Sequence, residues 1–361
     1  MKIGILTYHY GYNFGGVLQC YALQKALNSI GYEDVSVINC IPNRMKFYLG
    51  GIPRKRSPQV FYHWYLRLRY GKKCRRTFDE FRRNYLCITR TVLRNNLPEF
   101  VKDYDALIVG SDQIWNIREQ SDGMFFLSWK PEYKGRKIAY APCCGKNEVA
   151  EKYRLNIRNA LNNFDFLSVR NGETLEFVKG ITGLTPQVVP DPTCLCDFKE
   201  LLLDQPVRNT KYIFTYILGK EIDGGCKKAL ELIKKKIPGC IVIASVISYS
   251  NPQKIDWADE IMYYLSPVEW LNMIQNAYFV LTDSFHGTIF SMMFNTPFIT
   301  YYAENRRKSR FVELAYQFDI SKNIVCSLDE IDSFVIQTRT YNDIFKELSA
   351  KGIAYLKEAL I

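Results

Sequence analysis

The sequence predicts an α/β protein made of two βαβ domains in tandem, facing each other across a cleft. Three observations predict it. Short apolar runs of strand length alternate with helical stretches, several of those runs end in polar clusters, and the alternation breaks near residues 196–209 before resuming. In a doubly wound sheet the polar clusters fall along one edge, outside the carboxyl ends of the strands, where ligands bind.

The first run, Lys2 to Tyr8, passes through Tyr10-Gly11-Tyr12-Asn13-Phe14-Gly15-Gly16 into a helix expected from Val17, with Leu18, Tyr21, Ala22, Leu23, Ala26 and Leu27 on one face. Gly31 ends that helix, and Asp34 to Asn39 reads as the second strand. The turn has neither Gly-x-Gly-x-x-Gly nor a P-loop lysine, so no dinucleotide or ATP site is expected there. Between Pro42 and Leu97 the alternation stops. Gly50-Gly51-Ile52-Pro53 punctuates the stretch, and Phe61 to Asn84 carries aromatic and basic residues at helical spacing, so a basic helical insertion is expected near 42–97.

Strands are then expected at Tyr104 to Val109, ending in Gly110-Ser111-Asp112-Gln113-Ile114-Trp115-Asn116, at Lys137 to Ala141, at Phe166 to Val169, ending in Arg170-Asn171-Gly172, and at Gln187 to Val189. Helices are expected at Tyr153 to Asn162 and Leu175 to Lys179. Asp191, between two prolines, reads as a structural turn. The first domain is placed at 1–195, a linker at 196–209 and the second domain at 210–361.

In the second domain the strand Tyr212 to Ile217 ends at Gly219-Lys220 and is followed by the helix Gly225 to Lys236 and the strand Cys240 to Val246. A loop rich in Ser, Asn and Pro leads to the helix Pro267 to Ala277. The apolar run Tyr278 to Leu281 then opens through Thr282-Asp283-Ser284-Phe285-His286-Gly287-Thr288 into an apolar segment from Ile289, with Ser284 or Asp283 as the N-cap. Phe298 to Tyr302 is a further strand, ending in Asn305-Arg306-Arg307-Lys308-Ser309-Arg310 before a helix Phe311 to Phe318. An amphipathic helix from Tyr341 to Leu360 closes the domain.

Composition narrows the function. With 47% hydrophobic and 24% charged residues the chain has the balance of a soluble globular protein, and no run of about 18 uncharged apolar residues suggests a membrane span. Its 14% of aromatics serve core packing first, and stacking or sugar contact second. The net charge of +11 is concentrated between Ile41 and Arg94, an attraction for phosphate on nucleic acid, on anionic lipid or on a diphosphate-linked substrate. No nucleic-acid-binding motif accompanies it, so nucleic acid is not an expected partner. The same segment also reads as a solvated helix packed by its aromatic side. Eleven scattered cysteines without zinc-ligand spacing suggest reduced thiols and a cytoplasmic protein; no metal site is expected.

The candidate site collects the polar clusters: Asn13, Gly15, Gly16 and Gln19; Ser111, Asp112 and Gln113; Arg170; Lys220; Ser284 and His286; and Arg306, Arg307 and Arg310. His286 is one of three histidines in the chain and is suited to proton transfer near neutral pH. Several fixed cations and no metal-ligating cluster suit a small anion bearing phosphate and carboxylate. Taken singly, Arg170 also reads as a surface cation, Asn13 as a turn residue and His286 as a satisfied core histidine. A Ser284 nucleophile is disfavoured, because the Gly-x-Ser-x-Gly elbow is absent.

Asn13-Phe14-Gly15-Gly16-Val17-Leu18-Gln19, Val109 to Asn116, Ser168-Val169-Arg170, Val189-Pro190-Asp191-Pro192, Ser284-Phe285-His286-Gly287 and the Arg306 to Arg310 cluster together resemble the polysaccharide pyruvyl transferases, in the right order and over nearly the whole chain. The resemblance implies two Rossmann-like domains in a GT-B-like arrangement and an enzyme that uses phosphoenolpyruvate as co-substrate, without a further cofactor. It implies transfer of pyruvate to two hydroxyls of a sugar in a capsular or other surface polysaccharide precursor. By the same resemblance His286 is the general acid; Arg170, Lys220 and the Arg306 to Arg310 group hold the donor's anionic groups; and Asn13, Gly15 and Gly16 bind phosphate or acceptor. Lys220 stands where an arginine is expected, which keeps the charge without the fork. The acceptor is expected on a polyprenyl diphosphate carrier, with Phe61 to Arg94 in peripheral contact with it or with anionic membrane at the inner face of the plasma membrane. The runner-up reading is a GT-B glycosyltransferase using a nucleotide sugar, with Asp283 as the carboxylate near the ribose or sugar.

Overall fold

The computed structural model of the chain describes residues 1–41, 58–116, 123–145, 151–246, 255–303 and 305–361. The Gly50 to Pro53 punctuation and most of the Ser, Asn and Pro loop before Lys254 lie outside the described residues. The first half contains β1 (Ile3–Leu6), α1 (Phe14–Ser29), β2 (Val35–Val37), α2 (Pro58–Tyr85), α3 (Leu97–Val101), β3 (Ala106–Val109), β4 (Arg136–Ala139), α4 (Glu151–Leu161), β5 (Phe166–Val169), α5 (Gly172–Thr182) and β6 (Gln187–Val188). Its strands form a six-stranded sheet in the order β2-β1-β3-β4-β5-β6, all parallel.

The second half contains β7 (Tyr212–Tyr216), α6 (Cys226–Lys236), β8 (Ile241–Ser245), β9 (Glu260–Met262), α7 (Pro267–Gln275), β10 (Phe279–Thr282), α8 (Phe285–Met293), β11 (Phe298–Thr300), α9 (Asn305–Phe318), α10 (Leu328–Ser333) and α11 (Asn342–Leu360). Here the order is β11-β10-β7-β8-β9, again all parallel. The strand order reverses between β1 and β3 in one sheet and between β7 and β10 in the other. These are the two points where an open parallel sheet leaves a crevice.

Strands that are buried on both faces read as unbroken apolar runs, and β1, β3 and β10 are buried at every position. Helix starts differ from the expectation in an informative way. α1 begins at Phe14, three residues before Val17, because the Asn13 side chain accepts the Gly16 amide at 3.3 Å and draws both glycines into the first turn. α9 begins at Asn305, not Phe311. Its basic run is therefore the first turns of a helix, in keeping with the helix propensity of straight-chain Arg and Lys. β9, half-buried and three residues long, and α10, capped by Ser327, went unread because neither has enough residues to show a period.

An apolar cluster and the C-terminal helix both tie the halves together. Phe14 on α1 stacks on Trp270 of α7 at 4.9 Å and on Phe78 of α2 at 5.2 Å, and Tyr216 meets both Phe14 and Trp270, so one apolar cluster runs through both domains. An apolar junction of this kind resists relative domain motion. The C-terminal helix, grouped by the sequence with the second domain, lies against the first. The Tyr355 hydroxyl donates to the Ala139 carbonyl at 2.9 Å and Arg136 donates to the Ala359 carbonyl at 3.1 Å. Gly352 has no room for a side chain, since a Cβ there would stand 2.4 Å from the Tyr140 hydroxyl. The helix is amphipathic: Phe345 near its start meets Phe318 of α9 at 5.0 Å, while its later turns are covered across the junction.

The basic insertion is helical over Pro58–Tyr85, as its spacing suggests. On α2, Cys74, Phe78 and Phe81 are buried against the core, and so is Arg82, at 7% exposure, while Lys72, Lys73, Arg75, Arg76 and Arg83 face solvent. Its apolar side from Cys74 onward is thus committed to packing. No helix among the described residues is long and apolar enough to cross a membrane.

Candidate active site

The turn after β10 is held mostly by its own chain. The Thr282 hydroxyl accepts the Ser284 amide at 3.1 Å, and Ser284 caps α8 by accepting the Gly287 amide at 3.2 Å. Asp283 accepts the amides of Leu218 and Gly219, both at 2.6 Å, which fastens the β7 turn beside it across the reversal point of the second sheet. The cap is therefore Ser284, and Asp283 is spent on a neighbouring turn. This arrangement projects His286, 6% exposed, from the first turn of α8 toward the other domain.

The turn after β1 is held from a distance. Arg82 on α2 donates to the carbonyls of His9, at 2.6 Å, and Gly11, and pairs with Asp79 at 2.9 Å. His9 lies between the Thr7 carbonyl, 3.0 Å from Nδ1, and Asn39 Oδ1, 3.2 Å from Nε2; burial, then the charge of Arg82, lowers its pKa to about 4. Gln19 is fully buried and its amide is used up. It donates to Thr7 Oγ1 at 2.8 Å and the Gly16 carbonyl at 3.0 Å, and accepts the Ser111 amide at 3.0 Å. Ser111 in turn donates to the Ala141 carbonyl at 2.5 Å. These two residues, expected to touch substrate, are ties that hold the reversal point of the first sheet together.

The two turns meet at Gly15. A Cβ on Gly15 would lie 2.0 Å from Nδ1 of His286, so only glycine lets the imidazole of one domain come against the helix start of the other. Beyond the other ring nitrogen is Asp191. Its Oδ2 lies 3.7 Å from His286 Nε2 and accepts from Arg170 Nη1 at 2.8 Å, while Oδ1 accepts the amide and hydroxyl of Thr193 at 3.0 and 2.8 Å. Burial works against the Asp191 carboxylate, but His286, Arg170 and the Thr193 amide outweigh it and hold its pKa well below the usual range. Burial likewise opposes the Arg170 charge, and the neighbouring Cys143, Asp191 and Asp112 reverse that and raise its pKa; Asp112 Oδ1 stands 3.6 Å away.

Two polar atoms in this cluster are left over. Arg170 Nη2 and His286 Nε2 are buried and have no hydrogen-bond partner among the described residues. Buried polar groups are almost always paired, so two unpartnered nitrogens beside one carboxylate at the domain junction make this cluster a candidate ligand site. Arg170 also lines a pocket with Asp191, Phe285, Arg310 and Glu313, its guanidinium 4.7 Å over the Phe285 ring.

The structure thus brings together Gly15, Asp112, Arg170 and His286, with Arg310 on the pocket wall. Asn13 and Ser284 are exposed and buried helix caps respectively, Gly16 lies buried in the first turn of α1, and Gln113 is half-buried beside Asp112. Lys220 is exposed and adjoins the turn clamped by Asp283. Arg306 and Arg307 lie on the first turn of α9, and their side chains fall outside the described residues. Among the described residues no group of three or more His, Cys, Asp and Glu could hold a metal ion.

Two residues were missed. Asp191 makes the turn the sequence suggests, its Oδ1 accepting the Thr193 amide, and its Oδ2 also takes Arg170, a role that a carboxylate just past a parallel strand could have signalled. Glu313, on the third turn of α9, accepts the Gly172 amide at 3.2 Å, and burial pushes its pKa up to about 7. Nothing local in the sequence distinguishes it from a surface glutamate.

A model of the polysaccharide pyruvyl transferase family matches residues 13–305 of the chain. A comparison with curated proteins found no match. Among solved structures, the UDP-GlcNAc 2-epimerase of Neisseria meningitidis, bound to UDP-GlcNAc, is similar at TM-score 0.54 and 10% identity, over 100% of this chain and 99% of that one. The UDP-N-acetylglucosamine 2-epimerase of Rickettsia bellii gives 0.54 and 10%, over 99% and 95%. MnaA of S. aureus with UDP gives 0.53 and 12%, over 99% and 95%. At such identities the likeness shows the fold alone, and that fold is GT-B-like.

Proposed function

The chain belongs to the polysaccharide pyruvyl transferase family, and from that premise we propose that it transfers pyruvate from phosphoenolpyruvate to two hydroxyls of a sugar in a surface or capsular polysaccharide precursor, forming a ketal and releasing phosphate. The observation that carries this reading is the pair of buried nitrogens without a hydrogen-bond partner among the described residues, Arg170 Nη2 and His286 Nε2, gathered around Asp191 at the domain junction.

In this reading Arg170 holds an anionic group of the donor, Arg310 adds positive charge from the pocket wall, and Arg306, Arg307 and Lys220 are proposed to contribute charge as well. His286 gives a proton to the methylene carbon of phosphoenolpyruvate, so positive charge develops at the carbon bearing the phosphate. One sugar hydroxyl adds there and returns a proton to His286. The carbon–oxygen bond to phosphate breaks, the second hydroxyl closes the ketal, and its proton leaves with the phosphate. Two hydroxyl protons are thus accounted for, one in the new methyl group and one in hydrogen phosphate. Asp191 acts as a positioning residue for Arg170 and for the imidazole, while Gly15 fixes how closely the ring approaches α1. Catalysis is then orientation and charge stabilisation around one proton donor.

The acceptor is placed on a polyprenyl diphosphate carrier at the inner membrane face, attracted by the solvent-facing Arg75, Arg76 and Arg83 of α2. Arg82 is excluded from that role by its burial. Liposome binding and turnover of a lipid-linked acceptor unchanged by neutralising those three arginines would remove this part of the proposal. The reaction itself is tested by incubating the protein with labelled phosphoenolpyruvate or labelled nucleotide sugars and a glycan mixture. Label entering a ketal with matching phosphate release is expected. Label entering a glycosidic linkage from a nucleotide sugar supports the glycosyltransferase instead.

A further inference from the structure

The helix α5 begins beside Arg170, and its first amide is already in use. Asn171 caps the helix by accepting the Thr174 amide at 3.0 Å, while the Gly172 amide is taken by Glu313, at 3.2 Å, from the other domain. Helix N-termini favour anions through free amides and the helix dipole, so a carboxylate here is electrostatically at home. A second observation makes the place a site. Arg170, 7% exposed and with Nη2 unpartnered among the described residues, lines the same pocket as Glu313. Glu313 thus accepts the Gly172 amide and feels the charge of Arg170, two groups that would suit an anion as well as they suit its carboxylate.

We propose that the Glu313 carboxylate and the anionic group of the donor compete for this one subsite, so that Glu313 must give up the Gly172 amide when the donor binds. The inference rests on the donor reading above only for the identity of the anion; the shared chemistry is a tetrahedral oxyanion. A displaced Glu313 has few good neighbours. Arg170, from the end of β5, is then engaged by the ligand, while Glu173 of α5 and Asp191 beyond β6 are negative, and Ser309 of the same helix α9 is bonded to Glu173 at 2.8 Å. Arg310 on α9 is the one described cation lining the pocket besides Arg170. With its carboxyl already pushed up to about 7 by burial, against the pull of the Gly172 amide and Arg170 and with repulsion from Glu173, the displaced group takes up a proton. Anion binding is thereby linked to proton uptake and weakens as pH rises.

The test uses isothermal titration of sulfate, which does not itself titrate near neutral pH, and of phosphoenolpyruvate, into wild type, Glu313→Gln and Glu313→Ala between pH 6 and 8.5. For a group with pKa about 7, wild-type sulfate affinity is expected to fall roughly fivefold between pH 7 and 8. Both variants are expected to bind several-fold tighter than wild type at pH 8, with that pH dependence gone. Variants that bind no tighter at pH 8, that keep the wild-type slope, or a sulfate site absent from all three proteins, would overturn the competition. Phosphoenolpyruvate binding no tighter than sulfate sinks the donor reading separately, because the sulfate series decides the subsite on its own.

Discussion

Two strand-to-helix turns meet between the domains, one after β1 and one after β10; each has its own helix cap, and they differ in how much they also lean on residues far along the chain. The β10 turn is written in neighbouring residues: Thr282, Ser284 and Gly287 bond to one another within six positions, and Asp283 reaches out to fasten the adjacent turn. The β1 turn depends on Arg82, Asn39 and Ser111, which lie far along the chain. A locally held turn tolerates change elsewhere and presents His286 rigidly. A remotely held turn fails whenever any of its supports does, and it carries Gly15, which sets the distance between the halves of the site.

The largest effect is expected where the two turns touch. Gly15→Ala drives a methyl into the imidazole of His286, and displacement of that ring by about 1 Å should cost on the order of 100-fold in turnover. Gly11→Ala, with nothing within 4 Å, should leave turnover within about twofold and serves as the control. Steady-state kinetics of the two variants checks this. Equal loss in both would mean that the loop as a whole, not the contact at Gly15, is what matters.

Next is Arg82→Gln, which strips three charge-assisted hydrogen bonds from a buried guanidinium and should lower stability by about 2 to 3 kcal/mol in urea unfolding. A loss under 1 kcal/mol would show that the β1 turn has other support. His9 gives a pH signature from the same region. Its folded pKa of about 4 lies below the ordinary 6.5, so its contribution is intact above pH 6.5 and is lost as pH falls toward 4. At pH 5 this amounts to about 2 kcal/mol. His9→Gln should flatten that part of the stability profile.

The smallest effect belongs to the local turn. Ser284→Ala removes the α8 cap and should cost about 1 kcal/mol, and Asn13→Ala, an exposed cap on α1, no more than that. If Ser284→Ala proved as damaging as Arg82→Gln, the contrast between the turns would be lost.

The same contrast explains what could be read in advance. The two parallel sheets were legible because buried strands are unbroken apolar runs, and the His286 turn was legible because its cap and helix are adjacent in sequence. The start of α1 was placed three residues late because Gly15 and Gly16 signal a turn unless one knows that an imidazole must fit against them. Gln19 and Ser111 looked like substrate contacts because polar residues at strand ends usually are, and nothing in the sequence shows that they bond to each other. Asp191 and Glu313 owe their positions to long-range packing against Arg170 and Gly172, which no periodicity encodes. The C-terminal helix betrayed its amphipathic face but not which domain would cover it.

The most direct measurement is the affinity for phosphoenolpyruvate, by isothermal titration, of wild type, Arg170→Ala and His286→Ala, with single-turnover ketal formation followed on the same samples. Wild type should bind. Arg170→Ala should bind tenfold or more weakly, as loss of a charge-assisted anion contact of about 1.5 to 3 kcal/mol requires. His286→Ala should bind within about threefold of wild type and form ketal at least 100-fold more slowly. No binding by wild type, or undiminished ketal formation by His286→Ala, would contradict the assignment of this cluster as a pyruvyl transfer site.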